Sequence, residues 1–324
     1  MKAKHLFFFL FLWMVGLSTL APSASLAQKY PDRSIQLIIP YVAGATGDIT
    51  ARMLADELEK IIGQKIIPNN KPGASTVLGV DTFLRAKKDG YTLFYGGATP
   101  FVYVPITNPQ VVHYDPGKDV EPLGFHYFFP TTVGVKADAP WKTLPEFVDY
   151  AKKNPGKIRV STIGVSSQPH FALEMFQSIT GISLTHVPFE GGESVVTAVM
   201  GGHVEATVDG YGKLKPHAEA GRMRILLIDP KKPSHPEIPT LKELGYPQGL
   251  PATWFALWAP AGTPEEAMKV LVPAVEKAVI ATKPKVDQMG SLCEYKSPAE
   301  LRKLRDNEYK QIYEVAVKLG LRKQ

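Results

Sequence analysis

Residues 35–52 read IQLIIPYVAGATGDITAR, and the architecture follows from how this stretch is parsed. An isoleucine-rich run stops at Pro40, a loop of small residues follows, and the apolar spacing then becomes helical. Ile35 to Pro40 has the composition of a short buried strand. Ile49, Met53, Leu54, Leu58, Ile61 and Ile62 recur at near-helical spacing until Gly63 closes the helix. The connecting loop, from Tyr41 through Ala43, Gly44, Ala45, Thr46 and Gly47 to Asp48, puts unpaired backbone N–H groups at the positive end of a helix. Small side chains there let an anion approach the backbone. The same residues also suit a plain tight connection in which the glycines only permit positive φ. Asp48 is either the helix N-cap or a cleft-facing group that selects a donor on a ligand.

The strand, loop and helix pattern recurs along the chain. Lys65–Pro68 and Tyr91–Tyr95 read as strands, separated by the turn-rich NNKPGAS and a helix over Val77–Ala86. After a crossing segment, GFHYFFPTTVGV, the second half gives strands at Ile158–Thr162, Leu184–Val187, Val204–Val208 and Arg224–Ile228. Its own strand-to-helix loop holds Gly164, Val165, Ser166, Ser167 and Gln168, then Pro169 in the first helical turn, where no N–H is needed, and His170. A Pro-rich passage, DPKKPSHPEIPT, leads to the apolar return segment TWFALWAPAGTP and two final helices. Helix starts are marked by Thr143 to Glu146, Thr263 to Glu266 and Ser297 to Glu300, each with the capping-box spacing. These units define an α/β fold of two Rossmann-like domains with mostly parallel sheets around a ligand cleft. Residues 28–127 with 250–324 form the first domain and 128–249 the second. The two glycine-containing loops then face each other across that cleft.

Composition narrows the function. Residues 1–27 have the basic start (Lys2, Lys4), apolar core (Leu6 to Leu20) and small-residue end (Ser25-Leu26-Ala27) of a cleaved secretory signal, so the mature chain is expected in the periplasm as a soluble monomer. The single Cys293 cannot form an internal disulfide. A formal charge of +6, with two of the lysines in the leader and no basic block, argues against a nucleic-acid partner. No cofactor is expected, because GATGD lacks both the GxGxxG spacing and the Walker lysine. Scattered histidines argue against a metal. An exported serine hydrolase using Ser166 or Ser167 with His170 is the competing enzymatic reading, without a GxSxG elbow or a placed acid. Core packing is the default for Tyr41, His126 to Phe129, Trp254 and Trp258, but Tyr41, Phe128 or Trp254 at the cleft would give the ligand an apolar wall.

The stretches YPDRSIQLIIPYVAGATGDITAR, NNKPGAS, KKDGYTL, YDPGKDVEPLG, KKNPGKI, STIGVSSQPH, THVPFEGG, GGHVEATVDG and TWFALWAPAGTP, in that order and spacing, resemble the Bug or TctC-like solute-binding receptors of tripartite tricarboxylate transporters, over residues 30–322. The resemblance implies two α/β domains that close on a small carboxylate, delivery to inner-membrane transporter subunits, and no catalysis. A signalling receptor for the same ligands is the alternative within that class. The pincer loops it implies map onto Ala43 to Asp48 and Gly164 to His170. A third contact falls at Gly97, Ala98 and Thr99, and Gly191, Gly192 and Asp209 lie near the cleft. Two departures from the family pattern, Ala43-Gly44-Ala45 in place of Pro-Gly-Gly and Gln168-Pro169 in the second loop, leave the identity of the acid, aliphatic or aromatic, open.

Overall fold

The structure, a computed structural model, describes residues 30–165, 167–189 and 192–322; the secretory leader read at 1–27 lies outside them. Strands β1 (Ile35–Ile39), β2 (Ile66–Asn70), β3 (Thr92–Gly97), β4 (Val120–Phe129), β10 (Thr253–Pro260) and β11 (Leu292–Lys296) form a six-stranded sheet in the order β11-β4-β10-β3-β1-β2. Strands β5 (Thr131–Lys136), β6 (Arg159–Ile163), β7 (Thr185–Phe189), β8 (Ala206–Gly210) and β9 (Met223–Asp229) form a five-stranded sheet in the order β7-β6-β8-β5-β9. The main helices are α1 (Thr46–Ile62), α2 (Val77–Leu84), α3 (Leu144–Lys153), α4 (Gln168–Thr180), α5 (Gly192–Met200), α6 (Tyr211–Glu219), α7 (Glu265–Gln288) and α8 (Pro298–Lys318). Among the described residues no helix is long and apolar enough to cross a membrane.

Both sheets are mixed where mostly parallel sheets were expected. β1 runs parallel to β2 and β3, but β10 is antiparallel to β3 and β4, and β5 is antiparallel to β8 and β9. The cause is the crossing: β4 leaves the larger sheet at Phe129, Pro130 interrupts it, and β5 continues in the smaller sheet. β10 brings the chain back beside β4.

Strand alternation sorts the core into layers. Ile35, Leu37 and Ile39 join Leu54 and Leu58 of α1 and Leu271, Val275 and Val279 of α7. Ile38 on the opposite face joins Phe94, Phe101 and Trp258. At about 1.5–3 kcal/mol for each fully buried large apolar side chain, these layers outweigh any polar contact in the molecule. The buried face of α1 is Ala51, Leu54, Ala55 and Leu58, whereas Ile49 and Ile61, expected inside, are partly exposed. Ser297 and Glu300 make the expected reciprocal capping box. The box expected at Thr263 does not form, because Thr263 Oγ1 donates to the Pro260 carbonyl at 2.7 Å and Pro264 takes the N-cap position.

The C-terminal helix α8 carries a buried carboxylate into this layer. Glu308 accepts from the Tyr103 hydroxyl at 2.8 Å and from the Trp254 indole N–H. Burial pushes its pKa up to about 7. The protonated native state therefore gives its full advantage below the ordinary value of 4.5, and that advantage is lost as pH rises through about 7. In urea unfolding at pH 5 and pH 8, wild type is expected to lose on the order of 2 kcal/mol relative to Glu308→Gln, which cannot ionise; parallel pH profiles for the two proteins would contradict this.

Candidate ligand-binding cleft

Between the two sheets lies a cavity of about 400 Å³. The larger sheet's side contributes Thr46, Phe129, Thr253, Phe255 and Met289, and the smaller sheet's side Ile163, Gln168, Pro169, Asp209, Gly210, Gly212 and Lys213. Three helices begin at its wall: α1 at Thr46, α4 at Gln168 and α6 at Tyr211. The first backbone N–H groups of a helix have no intrahelical acceptor. No side chain caps α1, whose N-cap residue is Ala45, or α6, whose N-cap residue is Gly210. Both starts therefore offer backbone donors and a positive dipole end to whatever enters.

The first loop is braced from below. Asp48 is buried in the first turn, one of its carboxylate oxygens accepting from Arg52 Nε at 3.0 Å and Asn70 Nδ2 at 2.7 Å and the other from Gly44 N at 2.8 Å. It is thus neither the N-cap nor open to a ligand, and these donors hold its carboxyl below the ordinary carboxylate range despite burial. Gly47 must be small, because a Cβ there would sit 2.6 Å from the Tyr41 ring and 3.0 Å from Phe255. Tyr41 packs edge-on against Phe255, centroids 5.6 Å apart, one layer behind the cavity. Ala43 and Gly44 are exposed at the loop's tip and Ala45 is half-buried; none of the three is part of the cavity lining.

The second loop is anchored differently. Ser167 caps α4, its hydroxyl accepting from His170 N at 3.3 Å and donating to the carbonyls of Ile163 and Gly164. Gln168, at the cavity wall, donates to Thr131 Oγ1 at 3.0 Å and the Pro251 carbonyl at 2.6 Å, and accepts from Thr253 Oγ1 at 3.2 Å. It ties the start of α4 to both crossing strands. His170 is buried, stacked on His186 with centroids 4.3 Å apart, and desolvation lowers its pKa. Its Nε2 lies 3.7 Å from the Glu174 carboxylate on the same helix. Gly164 is half-buried and Val165 is exposed. Ser166 and Gly191 lie outside the described residues.

Of the remaining candidates, Asp209 reaches the cavity and is ion-paired with Lys213. Gly97 and Ala98 are buried under β10 and Thr99 is half-buried; none of these three lines the cavity. The aromatic wall is Phe129 and Phe255, whereas Phe128 and Trp254 pack with the core, the default expected of them. In the antiparallel ladder Phe129 faces Thr253 and Phe128 faces Trp254, so adjacent residues take opposite faces. Trp254 and Trp258 are core residues, and His126 is buried between Tyr95 at 2.7 Å and Thr282 at 2.9 Å. Sequence reasoning also missed Gly210, Gly212 and Lys213. The signal available was a DGYGK run following an apolar strand, which repeats the strand-to-helix grammar of the first two loops.

The fold and this cleft define a two-lobed solute-binding protein. Residues 50–305 match the family described as the tripartite tricarboxylate transporter family receptor, and the chain belongs to it. It is 37% identical over 268 residues to the UPF0065 protein in the gbd 5′ region of Cupriavidus necator, covering 82% of this chain and 80% of that protein. It superposes on a TctC solute-binding protein from Polaromonas with a TM-score of 0.81 at 28% identity, covering 89% of this chain and 99% of that one. A Rhodopseudomonas palustris protein solved with adipate gives 0.72 at 27% identity, over 90% and 98% of the two chains. MatC from the same organism, solved with bound malate, gives 0.67 at 26%, over 88% and 99%.

Gln168→Ala removes the tether between α4 and the crossing strands while Thr131 Oγ1 still donates to Pro251 O at 2.7 Å. The variant is expected to be less stable by about 1–2 kcal/mol in urea unfolding; a change below about 0.5 kcal/mol, the noise of a surface substitution, would show that the tether carries nothing.

Proposed function

We propose that this chain captures a small organic dicarboxylate in the cleft between its lobes and delivers it, in the periplasm, to the membrane subunits of a tripartite tricarboxylate-type transporter. One lobe is residues 28–127 with 250–324 and the other 128–249. The observation that carries the reading is the cavity: helix starts for the acid groups, two phenylalanines for the carbon chain, and a size suited to a small molecule. The adipate- and malate-bound relatives support carboxylates as the ligand class.

The magnitudes are adequate without an arginine clamp. Four hydrogen bonds to charged groups at about 2.5 kcal/mol each, with about 0.5 kcal/mol more from each helix terminus, exceed a cost of about 4 kcal/mol in lost freedom by about 7 kcal/mol. That lies close to the roughly 8 kcal/mol of micromolar affinity. Binding without turnover is favoured over the hydrolase because Ser167 spends its hydroxyl on the helix cap and His170 stacks on His186.

Calorimetric titration with succinate, malate, adipate and terephthalate is expected to show at least one ligand with a dissociation constant in the micromolar range, about 1–100 μM. The absence of binding by all of them at millimolar concentration would contradict the reading. Gly210→Ala supplies a second check, since its Cβ would lie 2.2 Å from the Phe129 ring. Displacing that wall is expected to weaken the same ligand at least about tenfold, with a stability loss of about 1–3 kcal/mol from overpacking. Unchanged affinity would remove Phe129 from the site.

A further inference from the structure

Among the described residues, Asp209 and Lys213 are the only charged side chains in the lining of the cavity. Their geometry is asymmetric. Lys213 Nζ lies 3.0 and 2.9 Å from the two carboxylate oxygens of Asp209. The Asp209 side chain is 4% exposed and that of Lys213 29%. Of the pair, the ammonium is therefore the member that an incoming molecule meets. An ammonium has three N–H donors, and two of them are directed at Asp209.

Lysine is also misplaced by the rules of helix electrostatics. Lys213 sits in the first turn of α6, where the dipole disfavours a cation, and Asp209 at the end of β8 offsets that cost while fixing the ammonium in place. Beside it, Gly210 and Gly212 leave the start of α6 without side chains on the cavity side. The walls are the apolar Ile163, Phe129 and Phe255, and a charge surrounded by them is less screened than one in water. Across the cavity stands the uncapped start of α1 at Thr46.

We propose that Lys213 is the specificity-determining residue for the ligand's second acid group: one carboxylate is held at the start of α1, and the other takes the remaining N–H of Lys213 beside the start of α6. This rests on the carboxylate reading given above and adds to it a requirement for two negative charges. A ligand with one acid and one neutral end offers the lysine's third donor at most an uncharged acceptor, which makes a weaker bond than a carboxylate. Asp209 is a positioning residue that holds the ammonium and does not itself need to touch the ligand.

The test compares each of succinate, glutarate, adipate and terephthalate with its monoamide by calorimetry. Wild type is expected to prefer the best-bound diacid over its monoamide by about 10- to 100-fold, the equivalent of one hydrogen bond to a charged group. Lys213→Gln alone strands a buried carboxylate, so the informative variant is Asp209→Asn with Lys213→Gln, which keeps the lining neutral. In that double variant the diacid and monoamide are expected to bind alike, and Lys213→Arg is expected to retain most of the preference. Urea unfolding of the double variant separates a folding defect from a lost contact; if it does not fold, the wild-type and Lys213→Arg ratios decide. A wild-type preference below about threefold, or one that survives in the double variant, overturns the role of Lys213 and leaves carboxylate binding standing. Failure of wild type to bind any of the acids overturns the carboxylate reading and this inference together.

Discussion

The structure depends on the antiparallel pairing of β4 with β10. These strands are the last and first of the larger sheet to meet the crossing, and their register sets which side chains face the second lobe. With Phe129 opposite Thr253 and Tyr127 opposite Phe255, alternation turns Phe129, Thr253 and Phe255 to the cavity. Phe128 and Trp254 turn to the other face, where Trp254 meets Glu308 of α8. A slip of one residue would exchange the two sets. It would put an indole and its buried carboxylate partner into the cleft and remove the apolar wall.

The cavity is then completed from the second lobe by residues that bring the backbone close. Gly210 and Gly212 lie under the Phe129 ring, where a Cβ would come within 2.2 and 2.6 Å of it. Close approach of the start of α6 to the crossing strand is what places Lys213 at the wall. Gln168 performs a related task for α4 by bonding Thr131, Pro251 and Thr253. The lobes are thus joined by a polar tether on one side of the cleft and by ring-on-glycine packing on the other.

Much of this was legible in the sequence. Ile35 to Pro40 and its glycine loop fixed the first strand-to-helix unit, and the ST-rich loop before Pro169 fixed its counterpart. What could not be read has physical causes. Helix α6 begins with Gly212 near its start and contains Pro216, both of which lower local helix preference, so its first turn did not stand out. The parity of Phe128 against Phe129 depends on a ladder with two register shifts between β4 and β10, which no single strand encodes. For Asp48 the sequence leaves a helix cap and a cleft-facing group equally open; only the fold brings Asn70, 22 residues away, to its carboxylate.

Helix-start amides that receive the ligand's acid groups report the contact directly in their backbone chemical shifts. In ¹⁵N-labelled protein titrated with the tightest-binding dicarboxylate, the amide signals of Thr46 and Gly47 in α1 and of Gly212 in α6 are expected to move downfield together and saturate at one stoichiometric equivalent. Saturable binding that leaves these three amides unmoved, while others elsewhere shift, would contradict that contact.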